Sequence, residues 1–221
     1  MSDIVKGFLT IKENVQAEIV EKKSKFIANL FYIENIEEAE KIIKETRKKY
    51  FDARHNCIAY RVIEDGQIIE RFSDDGEPSG TAGAPMLNIL QKNGYVNVLV
   101  VVTRYFGGIL LGTGGLTRAY TKGASIALKA GGIVEKVEGV NISLHLDYDM
   151  IGKVQYFCGQ NNWHIEDTEY TDKVIVHILA EVTVADEIEK EAIEASNGKI
   201  TVEKSEEGIY FKEDNRLYKI L

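Results

Sequence analysis

The sequence predicts an α+β chain of two domains, a mixed helix-and-sheet unit followed by a smaller β-α-β-β-α-β unit. Three observations carry this. Apolar residues switch repeatedly between the period of two of a half-buried strand and the 3.6 of an amphipathic helix. The pattern after Gly139 runs in the split-βαβ, ferredoxin-like order. The charge also breaks there: residues 1–135 hold 18 Lys+Arg and 17 Asp+Glu, whereas residues 136–221 hold 9 and 18. The expected domains are therefore residues 1–137 and 138–221, with the boundary near 136–140.

The first ~33 residues alternate and are rich in β-formers, so they read as strands. Asn35 with Glu38 three residues on makes a capping box, and Ala39, Ile42, Ile43, Thr46 and Tyr50 share one face of the helix that follows. Residues 55–63 form a strand, Asp65-Gly66 a hairpin turn, and residues 67–73 the return strand. A polar turn, DDGEPSGTAG (74–83), precedes a short helix around Pro85–Leu90 that stops at Asn93-Gly94. Residues 96–103 are a nearly all-apolar strand, buried on both faces. The segment RYFGGILLGTGGLTRAYTKG (104–123) follows. Its later part starts a helix whose apolar stripe is Leu116, Ala119, Tyr120, Ala124, Ala127 and Leu128, ending at Gly131-Gly132.

In the second domain, residues 141–148 read as a strand and 150–162 as a helix. Residues 164–171 and 173–183 are strands. Asp186 with Glu189 caps a helix that ends at Asn197-Gly198, and residues 200–211 are the last strand.

At 221 residues the chain is long enough for two small domains. Its longest apolar run is Val98–Val102, far short of the ~20 residues of a membrane span, and its start lacks a signal-peptide pattern. A cytoplasmic location is the expectation. Two distant cysteines, Cys57 and Cys158, read as buried free thiols rather than as a disulfide framework or a zinc site. The net of −9 over residues 136–221 argues against that half gripping nucleic acid through a broad basic face.

Five glycines, Gly107, Gly108, Gly112, Gly114 and Gly115, lie between a buried strand and a helix. A glycine-rich turn that opens a helix offers free N–H groups and the positive end of the helix dipole to an anion. Arg104 precedes the glycines, and Arg118, Lys122, Ser125 and Lys129 share one helical face after them. The segment is no Walker loop, because the lysine is missing. It is no dinucleotide fingerprint either, because Thr117 stands where the third glycine belongs. Tight helix–sheet packing is the alternative reading of the glycines.

Asp74, Asp75 and Glu77 put three carboxylates within four residues, which suits a metal or acid–base work; turn-forming Gly and Pro make a solvated loop the plainer reading. Ser79 lacks a nucleophile elbow. His55 begins a strand beside Arg54, and His145, His164 and His177 share no motif. Tyr105 and Phe106 either stack on bases or complete the core. No metal ligand set and no cofactor site is expected.

Read together, RFSDDGEPSGTAGAPMLNIL and R-Y-F-G-G-x-x-L-G-x-G-G-L-x-R-A-Y, with KSKFIA (23–28) and HNC-A-Y (55–60), resemble the signature of the Impact/YigZ family over essentially the whole chain. The resemblance implies a first domain similar to the second domain of a small-ribosomal-subunit protein, and a second domain similar to the carboxy-terminal domain of elongation factor G. It also implies translational regulation. The eukaryotic Impact protein restrains a stress-responsive kinase pathway by binding the pathway's activator, and a nucleic-acid role is implied for bacterial members. Ile58 departs from the tryptophan expected there, which puts an aromatic contact in doubt.

The functional expectation is a non-enzymatic translation-associated regulator that engages RNA, the ribosome or a translation-factor partner. Its binding residues would be Arg104, Tyr105, Gly107, Gly108, Gly112, Gly114, Gly115, Arg118 and Lys122, with His55, Asp74, Asp75, Glu77 and Ser79 as secondary candidates. Two alternatives stay open: an enzyme acting on a phosphate-bearing small molecule, with the acidic loop beside the glycines, and a regulator working through protein–protein contacts alone.

Overall fold

A computed structural model describes residues 7–219. The chain divides into two compact units, one up to Val134 and one from Glu135.

The first unit contains β1 (Phe8–Ile11), β2 (Val15–Glu21), β3 (Ser24–Tyr32), α1 (Ile36–Lys49), β4 (His55–Glu64), β5 (Gln67–Ser73), α2 (Gly83–Lys92), β6 (Val98–Tyr105) and α3 (Gly112–Ala130). Five strands form one sheet in the order β2-β3-β6-β4-β5. Each neighbouring pair is antiparallel. β6 is the centre, and Val98 through Val102 are all buried, as an apolar run covered on both faces requires. Val98, Val100 and Val102 join Phe26, Ala28 and Leu30 beneath α2 and α3. Leu99 and Val101 join Ile43, Ile58 and Tyr60 beneath α1. The expected two-layer packing is that of α2 and α3 on the sheet, and α1 adds a cover on the other face. Ile58 is core here, so an aliphatic side chain fills the position where a tryptophan was expected.

Local chemistry explains the helix ends. Glu38 N–H donates to Asn35 Oδ1 at 2.8 Å, and Glu34 N–H donates to Glu38 Oε2 at 2.7 Å. Glu37 and Glu38 open α1 and Arg47, Lys48 and Lys49 close it, both in accord with the helix dipole. α2 begins two residues before the expected Pro85. The N–H groups of Ala82 and Gly83 donate to Asp74 Oδ1 at 2.9 and 2.8 Å, so the cap comes from the loop rather than from a neighbouring residue.

The second unit contains β7 (Ile133–Leu146, which begins two residues before the division), α4 (Ile151–Asn161), β8 (Ile165–Tyr170), β9 (Val174–Glu181), α5 (Ala185–Ser196), β10 (Thr201–Lys204), β11 (Gly208–Glu213) and β12 (Arg216–Tyr218). The order β10-β7-β9-β8 is the ferredoxin-like sheet. Val174, Val176, Ile178 and Ala180 alternate inward onto α4 and α5, with Val154, Phe157 and Ile188 completing that core.

The expected last strand, 200–211, is two strands along one edge of β7. Thr201–Lys204 pair with residues 142–145, and Gly208–Lys212 pair with residues 135–139. Ser205 bridges the gap: its N–H donates to Asn141 O, and Asn141 N–H donates to its hydroxyl. Asp214, at φ 54, then turns the chain into β12. The expected cap of α5 is not made. Val184 occupies the cap position, while Asp186 lies in the first turn and pairs with Lys204 at 2.7 Å.

Candidate functional site at the loop pole of the first unit

Strand registers fix where the candidate residues meet. Lys25 stands opposite Tyr105, His55 opposite Arg104, and Ile58 opposite Ser73. The β2–β3 turn, the α1–β4 loop, the β5–α2 loop and the β6–α3 loop therefore leave the sheet at one end. α3 runs alongside β3. The rings of Phe26 and Tyr120 meet edge-on with centroids 5.1 Å apart, a geometry worth ~0.5–1.5 kcal/mol beyond burial. Further along, Gly123 packs on Ala28 and Gly131 on Leu30. This progression brings the first turn of α3 to the β2–β3 turn.

A buried polar knot ties these loops together. Arg104 Nη1 meets Glu77 Oε1 at 2.7 Å, with both side chains buried. The Tyr120 hydroxyl donates to the same oxygen at 2.8 Å. Arg104 Nη2 donates to Ser24 Oγ at 3.4 Å, and the Gly107 N–H donates to that hydroxyl at 3.2 Å. The guanidinium also lies 5.5 Å from the Phe26 ring centroid and 5.6 Å from that of Phe106. Arg104 thus lies inside the fold, with its charge answered by Glu77. Burial pushes the Cys57 thiol up to about 12, helped by the nearby carboxylates of Glu77, Asp75 and Asp74 and opposed by the neighbouring Tyr120 hydroxyl; the thiol itself donates to the Asp74 carbonyl at 3.0 Å. Burial also raises the Tyr120 hydroxyl, with Cys57 and Glu77 adding to the shift.

The acidic loop is likewise engaged by protein donors. Besides capping α2, Asp74 accepts from Gly80 N–H at 2.8 Å. Asp75 pairs with Arg47 at 3.0 Å and accepts from Asn56 N–H at 2.7 Å. The Asp75 carbonyl meets His55 Nδ1 at 2.8 Å. Ser79 is exposed at the loop tip. Among the described residues, no group of three or more His, Cys, Asp or Glu side chains could hold a metal ion. Tyr105 is half-buried, and its hydroxyl donates to Asp52 at 2.7 Å, a bond that pushes it up to about 12.

The glycines divide by role. A Cβ on Gly107 would lie 2.0 Å from the Lys23 carbonyl carbon, so only glycine fits against that turn. Gly108 and Gly112 hold left-handed φ of 82 and 70. Gly114 and Gly115 lie in the first turn of α3, which no side chain caps. Arg118 and Lys122 follow, both exposed, as do Ser125 and Lys129 on the same face.

Sequence reasoning gave Lys22 and Lys23 no binding role, although Lys23 opens the KSKFIA stretch. They form the two-residue turn between β2 and β3, at φ 44 and 67, the left-handed region that favours Asn and Gly. Both are exposed and have no ion-pair partner among the described residues, and the same holds for Arg54, Arg118 and Lys122. The signal available was a pair of lysines between two β runs, but lysine is not a residue that marks such a turn.

The histidines outside this pole each face a glutamate: His145 with Glu203 at 3.3 Å, His164 with Glu166 at 3.6 Å and His177 with Glu169 at 3.1 Å. Cys57 and Cys158 are free and buried. Among the described residues, no helix is long and apolar enough to cross a membrane.

Known proteins match along both units. The model of the Impact N-terminal domain matches residues 22–128, and that of a domain of unknown function, DUF1949, matches residues 144–199. IMPACT family member YvyE of Bacillus subtilis is 37% identical over 200 residues, 90% of this chain and 92% of that protein. IMPACT family member YigZ of Escherichia coli is 35% identical, over 81% and 88%. A Dictyostelium discoideum protein named Protein IMPACT homolog is 44% identical over 97 residues, 42% of this chain and 28% of its own length. A crystal structure described as that of a hypothetical protein superposes with a TM-score of 0.57 at 32% identity, over 90% of this chain and 97% of that one.

Proposed function

The chain belongs to the Impact family, and on that footing we propose that it is a non-enzymatic, cytoplasmic, translation-associated regulator. It engages RNA, the ribosome or a translation-factor partner through the loop pole of its first unit. The observation that carries this reading is a set of exposed cations with no ion-pair partner among the described residues: Lys22 and Lys23 in the turn packed against Gly107, and Arg118 and Lys122 on the exposed face of α3 beyond its uncapped start. Backbone N–H groups and the helix dipole add positive potential at the same place. Translational regulation itself rests on the family resemblance. The first unit, near neutral as a whole, gathers cations at one pole, while the acidic second unit is unsuited to a polyanion.

The pole is better built for binding than for turnover. Asp74, Asp75 and Glu77 each accept hydrogen bonds or ion pairs from protein donors, which weighs against the enzymatic alternative. Co-sedimentation with purified ribosomal subunits, and gel shifts with ribosomal RNA fragments at several salt concentrations, test the proposal. Association should weaken with salt and fall in the Lys22→Ala/Lys23→Ala and Arg118→Ala/Lys122→Ala variants. Association indifferent to salt and to both variants would overturn it.

A further inference from the structure

The loop that carries the glycines also carries large apolar side chains into solvent. Phe106 is 49% exposed, Ile109 43% and Leu110 82%. Neighbouring apolar residues at a loop tip leave hydrocarbon in contact with water, and such patches mark interaction sites. Lys22 and Lys23 border them, because the Lys23 backbone packs against Gly107. Gly108 and Gly112, both at positive φ, flank Ile109 and Leu110 and set the path that presents them.

The residue types discriminate between partners. Single-stranded nucleic acid is held by aromatic faces on which bases stack. Leu110 and Ile109 are aliphatic and offer no such face, and the Phe106 ring already lies beside the Arg104 guanidinium. Aliphatic side chains gain by entering an apolar surface of a protein, while the lysines beside them require carboxylates. Resting on the reading of the pole as the binding site, we infer that this tip docks a protein segment combining acidic residues with bulky apolar ones. The apolar residues of that segment cover Ile109 and Leu110, and its carboxylates meet Lys22 and Lys23.

The test uses the full chain immobilised against a displayed library of random peptides, followed by fluorescence anisotropy with an enriched peptide made synthetically. Enriched peptides should carry Asp or Glu next to Leu, Ile, Phe or Trp. Leu110→Ser should weaken the synthetic peptide about ten-fold or more, and Lys22→Glu/Lys23→Glu should do the same at low salt. Leu110 is exposed, so this variant should fold, and an unchanged melting curve verifies that. No enrichment, enriched peptides lacking acids or apolar residues, or full affinity in Leu110→Ser would each overturn the inference. A parallel arm titrates the ribosomal RNA fragments. Lysine-dependent RNA binding that is untouched by Leu110→Ser, with no peptide enriched, would overturn the docking inference and leave the broader binding role standing. Failure of peptides, RNA and ribosomal subunits alike would remove both.

Discussion

Glu77 and Arg104 meet at 2.7 Å in the interior of the first unit, with 8% and 6% of their surfaces exposed. The pair joins the β5–α2 loop to the end of β6, and Tyr120 and Ser24 extend it to α3 and to the β2–β3 turn. Removing one partner leaves the other charge buried and unanswered. Glu77→Ala should therefore cost about 3–5 kcal/mol, and Glu77→Leu/Arg104→Met should recover much of that loss. Urea unfolding of the single and double variants measures both.

Gly107 and Gly114 should respond oppositely to alanine. At Gly107 the new Cβ meets Lys23 backbone at 2.0 Å, so the turn must move. Gly107→Ala should lower stability by several kcal/mol, on the order of other core clashes or more. At Gly114 the new Cβ would meet the flexible end of Arg118, Nη1 at 3.8 Å, an ordinary contact. Gly114→Ala should be neutral or stabilising by up to ~1 kcal/mol. Thermal melts of the two variants compare them directly.

Asp74 caps α2 from outside the helix. Asp74→Ala removes the acceptor for Ala82, Gly83 and Gly80 N–H groups and should cost roughly 1–2 kcal/mol. Amide hydrogen exchange should quicken first in residues 80–86, while the second unit keeps its protection.

Both thiols give the chain an alkaline limit. Burial raises Cys57 and Cys158 from 9.0 to about 12. Below pH 9 the thiols are neutral in the folded and unfolded chain, so their contribution is fully present. Between 9 and 12 the unfolded chain releases protons that the folded chain keeps, and stability falls as pH rises. The urea midpoint should decline over that window, and less steeply in Cys57→Ala. At pH 8 both thiols should resist a disulfide reagent until the chain unfolds.

Much of the fold was readable because its signals are local. Asn35 with Glu38, and Asp65-Gly66 between two alternating runs, each work through neighbours in the chain. The failures share a cause in long-range partners. Asp74 caps a helix eight residues on, which lengthened α2. Asp186 fits a capping pattern, yet Lys204 claims its carboxylate from β10. Arg104 reads as a ligand-binding cation until Glu77, remote in sequence, is brought beside it. Lys22 and Lys23 drew no binding role because their importance lies in a left-handed turn that lysine seldom forms, and in the glycine packed against it.

The central place of β6 bears on how the chain is made. β3 and β4 never pair with each other, and each finds its inner neighbour only in Val98–Tyr105. During synthesis, β2–β3 and β4–β5 emerge as separate hairpins, each with an unpaired edge, and short hairpins alone are marginal in water. The first unit can close only after Tyr105 has left the ribosome. Until then the nascent chain exposes two sticky edges, and slower elongation through residues 55–105 would lengthen its need for a chaperone.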